Sequence, residues 1–182
     1  VTFGSATDTG TIVLSGTSLI HGTGGFNIVG GTLRFGNAGV AANYFSGLGV
    51  NGSLQVAGGA TLDTGGFAAT IKNLDLDGGT LQSTGGALNV TSNQTATSEN
   101  GTIIGTAQAD QLVFNMSGPF SFSATSFTNW NTAIDMITLN LLVAASLNGS
   151  TQNDTINGSA GNDTLAGGGG IDTIRGGAGD DN

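Results

Sequence analysis

Apolar and polar residues alternate in short runs along most of this chain. TIVLSG (11–16), FNIVGGTLRFGN (26–37), SLQVAGGATLDTGG (53–66) and NLDLDGGTLQSTGGALNV (73–90) each place every second residue on one side. That two-residue period is the signature of half-buried β-strands. Glycine pairs interrupt the runs and supply corners. The phrase Gly-Gly-x-Leu recurs as GGTL (30–33), GGATL (58–62), GGTL (78–81) and GGAL (85–88). The first three begin 28 and 20 residues apart, the size of one solenoid rung, and the fourth follows seven residues after the third. No run of ten or more residues shows helical spacing. The pattern predicts parallel strands stacked into a β-helix over residues 1–104, with Leu33, Leu62, Leu81 and Leu88 facing inward. An antiparallel sandwich is the other architecture it admits.

Residues 105–148 are less regular. GTAQADQLVF (105–114) sets Asp110 two residues before Leu112, FSFSATSF (120–127) alternates, and MITLNLLV (136–143) is dense enough for a buried strand. The stretch Leu139–Leu147 also admits a short helix. Pro119 marks a loop or the start of a strand. No charged or linker-like stretch separates this segment from its neighbours, so it reads as wider rungs of one continuous solenoid.

Composition narrows the choice. Glycine, serine, threonine and asparagine make up half of the 182 residues, which leaves too little bulk for a thick globular core or heptad helices. With 37% apolar and only 8% charged residues, the chain is also unlike a disordered one. Collagen is excluded by the single proline and by the lack of a three-residue glycine period. Twelve acids against three bases (Arg34, Lys72 and Arg175) give a net charge of −9. Nucleic acids need a basic footprint, and anionic membranes attract basic segments, so neither is an expected partner. Cations are. Without cysteine there is no disulfide and no thiolate metal site. No apolar run approaches the roughly 18 residues of a membrane span. The start at Val1 inside a strand-like pattern and the stop at Asn182 inside a repeat lead us to expect a piece of something longer.

The tail carries the most specific signal. Asp154, Asp163, Asp172 and Asp181 recur at a fixed step of nine, in GSTQNDTIN (149–157), GSAGNDTLA (158–166), GGGGIDTIR (167–175) and GGAGDDN (176–182). These match the nonapeptide G-G-x-G-x-D-x-U-x, with Ile156, Leu165 and Ile174 at the large aliphatic position U. Gly158 and Gly161, Gly167 and Gly170, and Gly176 and Gly179 hold the first and fourth positions of their repeats, whereas Ser150 and Gln152 replace glycines in the first one. Glycines permit the sharp turn, which aims backbone carbonyls toward the Asp carboxylate. Such an all-oxygen set suits calcium, a hard cation with 6–8 ligands.

On these residues, 149–182 resembles the RTX (repeats-in-toxin) family of calcium-binding secreted bacterial proteins. The phrases of 26–90 resemble autotransporter passengers and related bacterial surface proteins, which form right-handed parallel β-helices. Together the resemblances imply an all-β chain, a β-helix running into a parallel β-roll. They also imply two nonapeptides per turn, with calcium between repeats n and n+2. Asp154 would then pair with Asp172, and Asp163 with Asp181. The fuller repeats around Asp163 and Asp172 make these the expected central ligands.

Catalytic equipment is sparse. His21 is the only histidine, which excludes multi-histidine zinc sites and leaves a catalytic triad without support. Neither GTGG (22–25) nor GGGG (167–170) is followed by the lysine and helix of a phosphate loop. Asp75 and Asp77, two apart, are either paired carboxylates or a solvated outer face. Trp130 near Phe127 is either a sugar platform or a rung aromatic. Tyr44 and three bases do not equip a polysaccharide lyase. The expectation is a non-enzymatic, calcium-binding extracellular repeat protein of a bacterial surface: an adhesin, a surface-layer protein or a filament subunit. It would fold and assemble with calcium after secretion, with its own copies, a surface glycan or a host surface as partners. The alternative is the calcium-binding secretion module of an RTX enzyme or toxin whose catalytic part lies elsewhere.

Overall fold

The computed structural model describes residues 2–15, 25–37, 53–95 and 98–182; His21 and Tyr44 lie outside them. Among the described residues there is no helix, and every strand pairs in parallel with a strand of the next rung. The first face of this solenoid holds β1 (Thr2–Phe3), β3 (Phe26–Ile28), β5 (Leu54–Val56) and β8 (Leu74–Asp75). The second holds β2 (Thr11–Leu14), β4 (Gly31–Phe35), β6 (Ala60–Asp63), β9 (Thr80–Gln82), β11 (Thr102–Ile104) and β14 (Ser126–Thr128). The third holds β7 (Ala69–Lys72), β10 (Asn89–Gln94), β12 (Gln111–Met116), β15 (Met136–Leu141), β17 (Asp154–Asn157) and β19 (Thr173–Arg175). A shorter sheet continues along the first side as β13 (Phe120–Ser121), β16 (Ser146–Asn148) and β18 (Thr164–Ala166). The antiparallel sandwich is therefore ruled out, and the stretch that admits a helix forms β15 and β16 instead.

Rung length sets the cross-section. Stacked partners Asn93 and Asn115 lie 22 residues apart, Asn115 and Asn140 lie 25 apart, and Asn157 and Arg175 only 18. The longer rungs lay down three strands, as in β8–β9–β10. The second face ends at β14, and from there the chain alternates between two faces, β16–β17 and then β18–β19. Eighteen residues are two nonapeptides, enough for two short strands and two turns. The β-helix thus narrows into a two-sided roll without leaving its axis.

In-register stacking turns the sequence alternation into columns. On the second face Ile12, Leu33, Leu62, Leu81, Ile103 and Phe127 stand beside one another in order. Three of the four Gly-Gly-x-Leu leucines share this column. The fourth, Leu88, is equally buried but precedes β10 on the third face. There Ile71, Ser92, Phe114, Leu139, Ile156 and Ile174 form the central column. Where the rungs are widest, rings fill the interior: Phe114 meets Phe122 edge-on at 4.8 Å, and Phe122 meets Phe120 at 5.0 Å. Phe127 and Trp130 contact edge-on at 5.3 Å and pack against this core, so Trp130 is a rung aromatic.

Polar residues organise the outside and the corners. The side-chain amides of Asn93, Asn115, Asn140 and Asn157 hydrogen-bond in series, and Arg175 closes the series on Asn157. Glycine is required where corners stack: Gly65 and Gly66 have φ of 63° and 85°, and a Cβ on Gly85 would overlap the Gly65 carbonyl. Asp75 and Asp77 lie on the outer side and share the Gln55 amide at 3.4 and 3.3 Å.

Glu99, the chain's only glutamate, stands where the first side lacks a strand. Its N–H donates to the Ser121 carbonyl, while its carboxyl accepts the Leu76 N–H at 2.7 Å and the Gln94 amide at 3.1 Å. Full burial pushes this carboxyl up to about 8, with the charge of Asp75 adding to the effect and the two donors opposing it. A raised acid in the folded state costs nothing below its unfolded value near 4.5, and costs progressively more up to about 8. The stability of Glu99→Gln relative to the parent chain should therefore rise from pH 4 upward, starting from the cost at pH 4 of replacing one of the two accepting oxygens with an amide nitrogen. By pH 8 that difference should have shifted in favour of the variant by up to a few kcal/mol, as thermal unfolding across that range would show.

Candidate metal centre

The corners before the third-face strands share one device. Asp110 accepts the N–H of Thr106 on Oδ2 at 2.5 Å, and the Leu88 N–H of the preceding rung on Oδ1 at 2.7 Å. Asp135 accepts the Asn131 N–H at 2.6 Å on Oδ2 and the Asp110 N–H at 2.9 Å on Oδ1. One carboxylate thus closes its own turn, four residues back, and ties it to the adjacent rung. In the tail Asp154 takes the Ser150 N–H at 2.6 Å. On the opposite side Asp163 takes the Ser159 N–H at 2.6 Å and the Ala145 N–H at 2.8 Å.

The last two repeats differ. Asp172 accepts the Asp154 N–H, and Asp181 the Asp163 N–H, both on Oδ1 at 3.0 Å. Four residues before them stand Gly168 and Gly177, with φ of 95° and 104°, and neither donates its N–H to the carboxylate as the serines do. Gly170 and Gly179, at the fourth position, are left-handed as well, with φ of 96° and 119°. Gly161 at the equivalent place is not. Side chains cannot follow this path: a Cβ on Gly168 would overlap the Ser150 carbonyl, and one on Gly177 the Ser159 carbonyl. The first-position glycines are equally tight. A Cβ on Gly167 or Gly176 would collide with Oδ2 of Asp172 or Asp181, and one on Gly158 with the Gly176 carbonyl.

The structure thus brings together Asp154 with Asp172, and Asp163 with Asp181, each pair 18 residues apart. Around each pair, glycine turns of one rung lie against carbonyl oxygens of the other: Ser150 and Gln152 on one side, Ser159 and Gly161 on the other. Carboxylates and carbonyls with no nitrogen or sulfur donor fit a hard divalent cation. Among the described residues no three carboxylates or imidazoles gather to hold a metal, so carbonyls have to complete the set. Burial pushes the Asp154 carboxyl up to about 6, and the charge of Asp172 adds to the rise against the opposing Ser150 donors. Asp163 is buried too, but the Ala145 and Ser159 donors outweigh that and hold it below the usual carboxylate range.

Two features of this device escape the nine-residue count. Asp135-Met136-Ile137 repeats the D-x-U spacing of Asp110-Gln111-Leu112, but 25 residues on, because the rungs are wider there. Ser159 replaces a glycine as Ser150 does, and its consequence shows only in the turn it closes. Between the two series the aspartate column slips: Asp154 stands beside Ile137, leaving a cleft of about 180 Å³ lined by Asp135, Met136, Asn153 and Ile171.

A parallel β-solenoid with paired aspartates and left-handed glycines at an 18-residue pitch defines a cation-binding β-roll. Residues 146–174 match the family described as the RTX calcium-binding nonapeptide repeat (4 copies). These are RTX repeats, and their cation is calcium. No curated protein and no solved structure matches the chain. Among the described residues no helix is long and apolar enough to cross a membrane.

Substitution separates ligands from bystanders. Asp163→Ala and Asp172→Ala should each weaken calcium binding by roughly tenfold or more, about 1.4 kcal/mol. Asp75→Ala should leave the calorimetric titration unchanged.

Proposed function

We propose that this chain is part of a structural, calcium-binding protein exported to the outside of a bacterial cell. The observation that carries the reading is continuity. The column Ile71–Ser92–Phe114–Leu139–Ile156–Ile174 passes from three-sided hydrophobic rungs into the calcium repeats with no change of sheet. Calcium repeats tethered to a separate catalytic domain have no need of a shared sheet, whereas an elongated rod does. In this reading the 182 residues carry no catalysis, and their buried acids serve corners. An adhesin, a surface layer or a filament subunit all use such a rod, with neighbouring copies or a surface glycan as partners.

Calcium supplies the timing. Where calcium is scarce, the carboxylates of the last rungs repel and their glycines favour the unfolded chain. Extracellular modules bind calcium with dissociation constants on the order of 10⁻⁴–10⁻³ M. Millimolar calcium outside the cell therefore fills the sites and drives folding, because the site exists only in the folded turn. Export precedes folding in this scheme. Calorimetric titration together with hydrogen exchange over 149–182 tests it. Binding heat and calcium-dependent protection are expected, while no heat and identical exchange with and without chelator would overturn the reading.

A further inference from the structure

Not every nonapeptide of the tail is built to wait for calcium. In repeats 149–157 and 158–166 the second position is serine. Besides its N–H, Ser150 brings its hydroxyl to both Asp154 oxygens at 3.0 and 3.1 Å, and Ser159 does the same to Asp163 at 3.0 and 3.3 Å. Each serine oxygen also accepts an N–H from its own turn, of Gln152 at 3.0 Å and of Gly161 at 3.2 Å. Ser150, Asp154 and Asp163 are buried. Thr106 closes its corner on Asp110 in the same way, while Asn131 closes its corner on Asp135 with its N–H alone, in rungs that contain no nonapeptide.

The serine rung also has apolar cover: Ile156 is fully buried on the column of Leu139, and Leu165 packs against the core above Leu147. In residues 167–182 Gly168 and Gly177 stand where the two serines do, with no hydroxyl to close the turn and with more freedom in the unfolded chain to be offset.

We propose that Ser150 and Ser159 act as positioning residues that close the 149–166 rung without calcium. Calcium-dependent folding is thereby confined to residues 167–182, which dock on a rung that already presents Asp154 and Asp163. The hydroxyl does part of what the cation does in the later repeats: it holds the carboxylate against its turn. Folding then proceeds in one direction, from the hydrophobic rungs outward, with the serine rung as the platform. The proposal rests on the calcium reading above and adds where in the tail calcium dependence begins.

Hydrogen exchange on the 182-residue chain, with chelator and with millimolar calcium, reads both halves of the tail at once. In chelator, the β17 and β18 amides that donate to the preceding rung, such as Thr164 to the Ala145 carbonyl, should be protected, while 173–175 and the amides of Asp154 and Leu165, which donate to Asp172 and Asn182, exchange freely; calcium should protect them all. In the variant Ser150→Gly with Ser159→Gly, which restores the glycine of the nonapeptide pattern, protection of the β17 and β18 amides that donate to the preceding rung should fall roughly tenfold or more in chelator. It should return with calcium. Free exchange of every β17 and β18 amide in the parent chain without calcium, alongside normal calcium-binding heat, would overturn this proposal alone. So would protection in the glycine variant that matches the parent. Absence of any calcium heat would remove the calcium reading and this proposal with it.

Discussion

A solenoid rung can stack on the next only if the chain turns its corners with each buried backbone N–H aimed at an acceptor. Strands satisfy one another across rungs, but corners cannot, because their backbone points in changing directions. In this protein the aspartate carboxylate is the recurring solution. With two oxygens it accepts from its own turn and from the adjacent rung, at Asp110 and Asp163 alike. Turn closure and rung-to-rung register are thereby fixed by one side chain. Columns of leucine and phenylalanine depend on that register, since a slip of one residue would turn the whole inward set to solvent.

Putting acids at corners has an electrostatic consequence. Twelve acids against three bases leave few countercharges, and one of the bases, Arg34, pairs with Asp63 at 3.6 Å. The hydrophobic rungs manage with N–H donors, as at Asp110 and Asp135, or by keeping an acid neutral, as at Glu99. In the last two repeats Gly168 and Gly177 do not donate to Asp172 and Asp181 as Ser150 and Ser159 do to Asp154 and Asp163. The carboxylates of the tail come in stacked pairs, and Asp172 raises the protonation range of Asp154 by its charge. A divalent cation offsets that repulsion where hydrogen bonds cannot.

Narrowing from three faces to two follows from the same economy of length. A rung of 25 residues encloses enough space for Phe114, Phe120 and Phe122, and a rung of 18 leaves room for little beyond an aliphatic on each side. Hydrophobic stabilisation per rung falls as the cross-section shrinks. Cation binding takes over where the core gives out, so the two parts of the rod are complementary rather than merely joined.

The choice of parallel rungs over a sandwich fell to the structure, but the alternation, the glycine pairs and the nine-residue aspartate step were enough to determine short β-strands with glycine corners, inward Leu33, Leu62 and Leu81, and the calcium chemistry of the tail. These are local properties: strand period, turn conformation and oxygen ligands follow from residues close in the chain. Which rungs meet is not local. The chain alone did not reveal that Leu88 serves a different face from the other three leucines, because a strand's period does not say which sheet it joins. Nor did it reveal that Asp135 is a corner acid like Asp110, since the two are 25 residues apart and meet only when the rungs stack. Glu99 is buried among partners from neighbouring rungs, the Leu76 N–H and the Gln94 amide. Ser150 and Ser159 look like degraded glycines in the repeat, and become turn-closing groups once folding sets their hydroxyls against Asp154 and Asp163. Tertiary stacking made those decisions, because a carboxylate's partners come from the rung beside it, some 18 to 25 residues away.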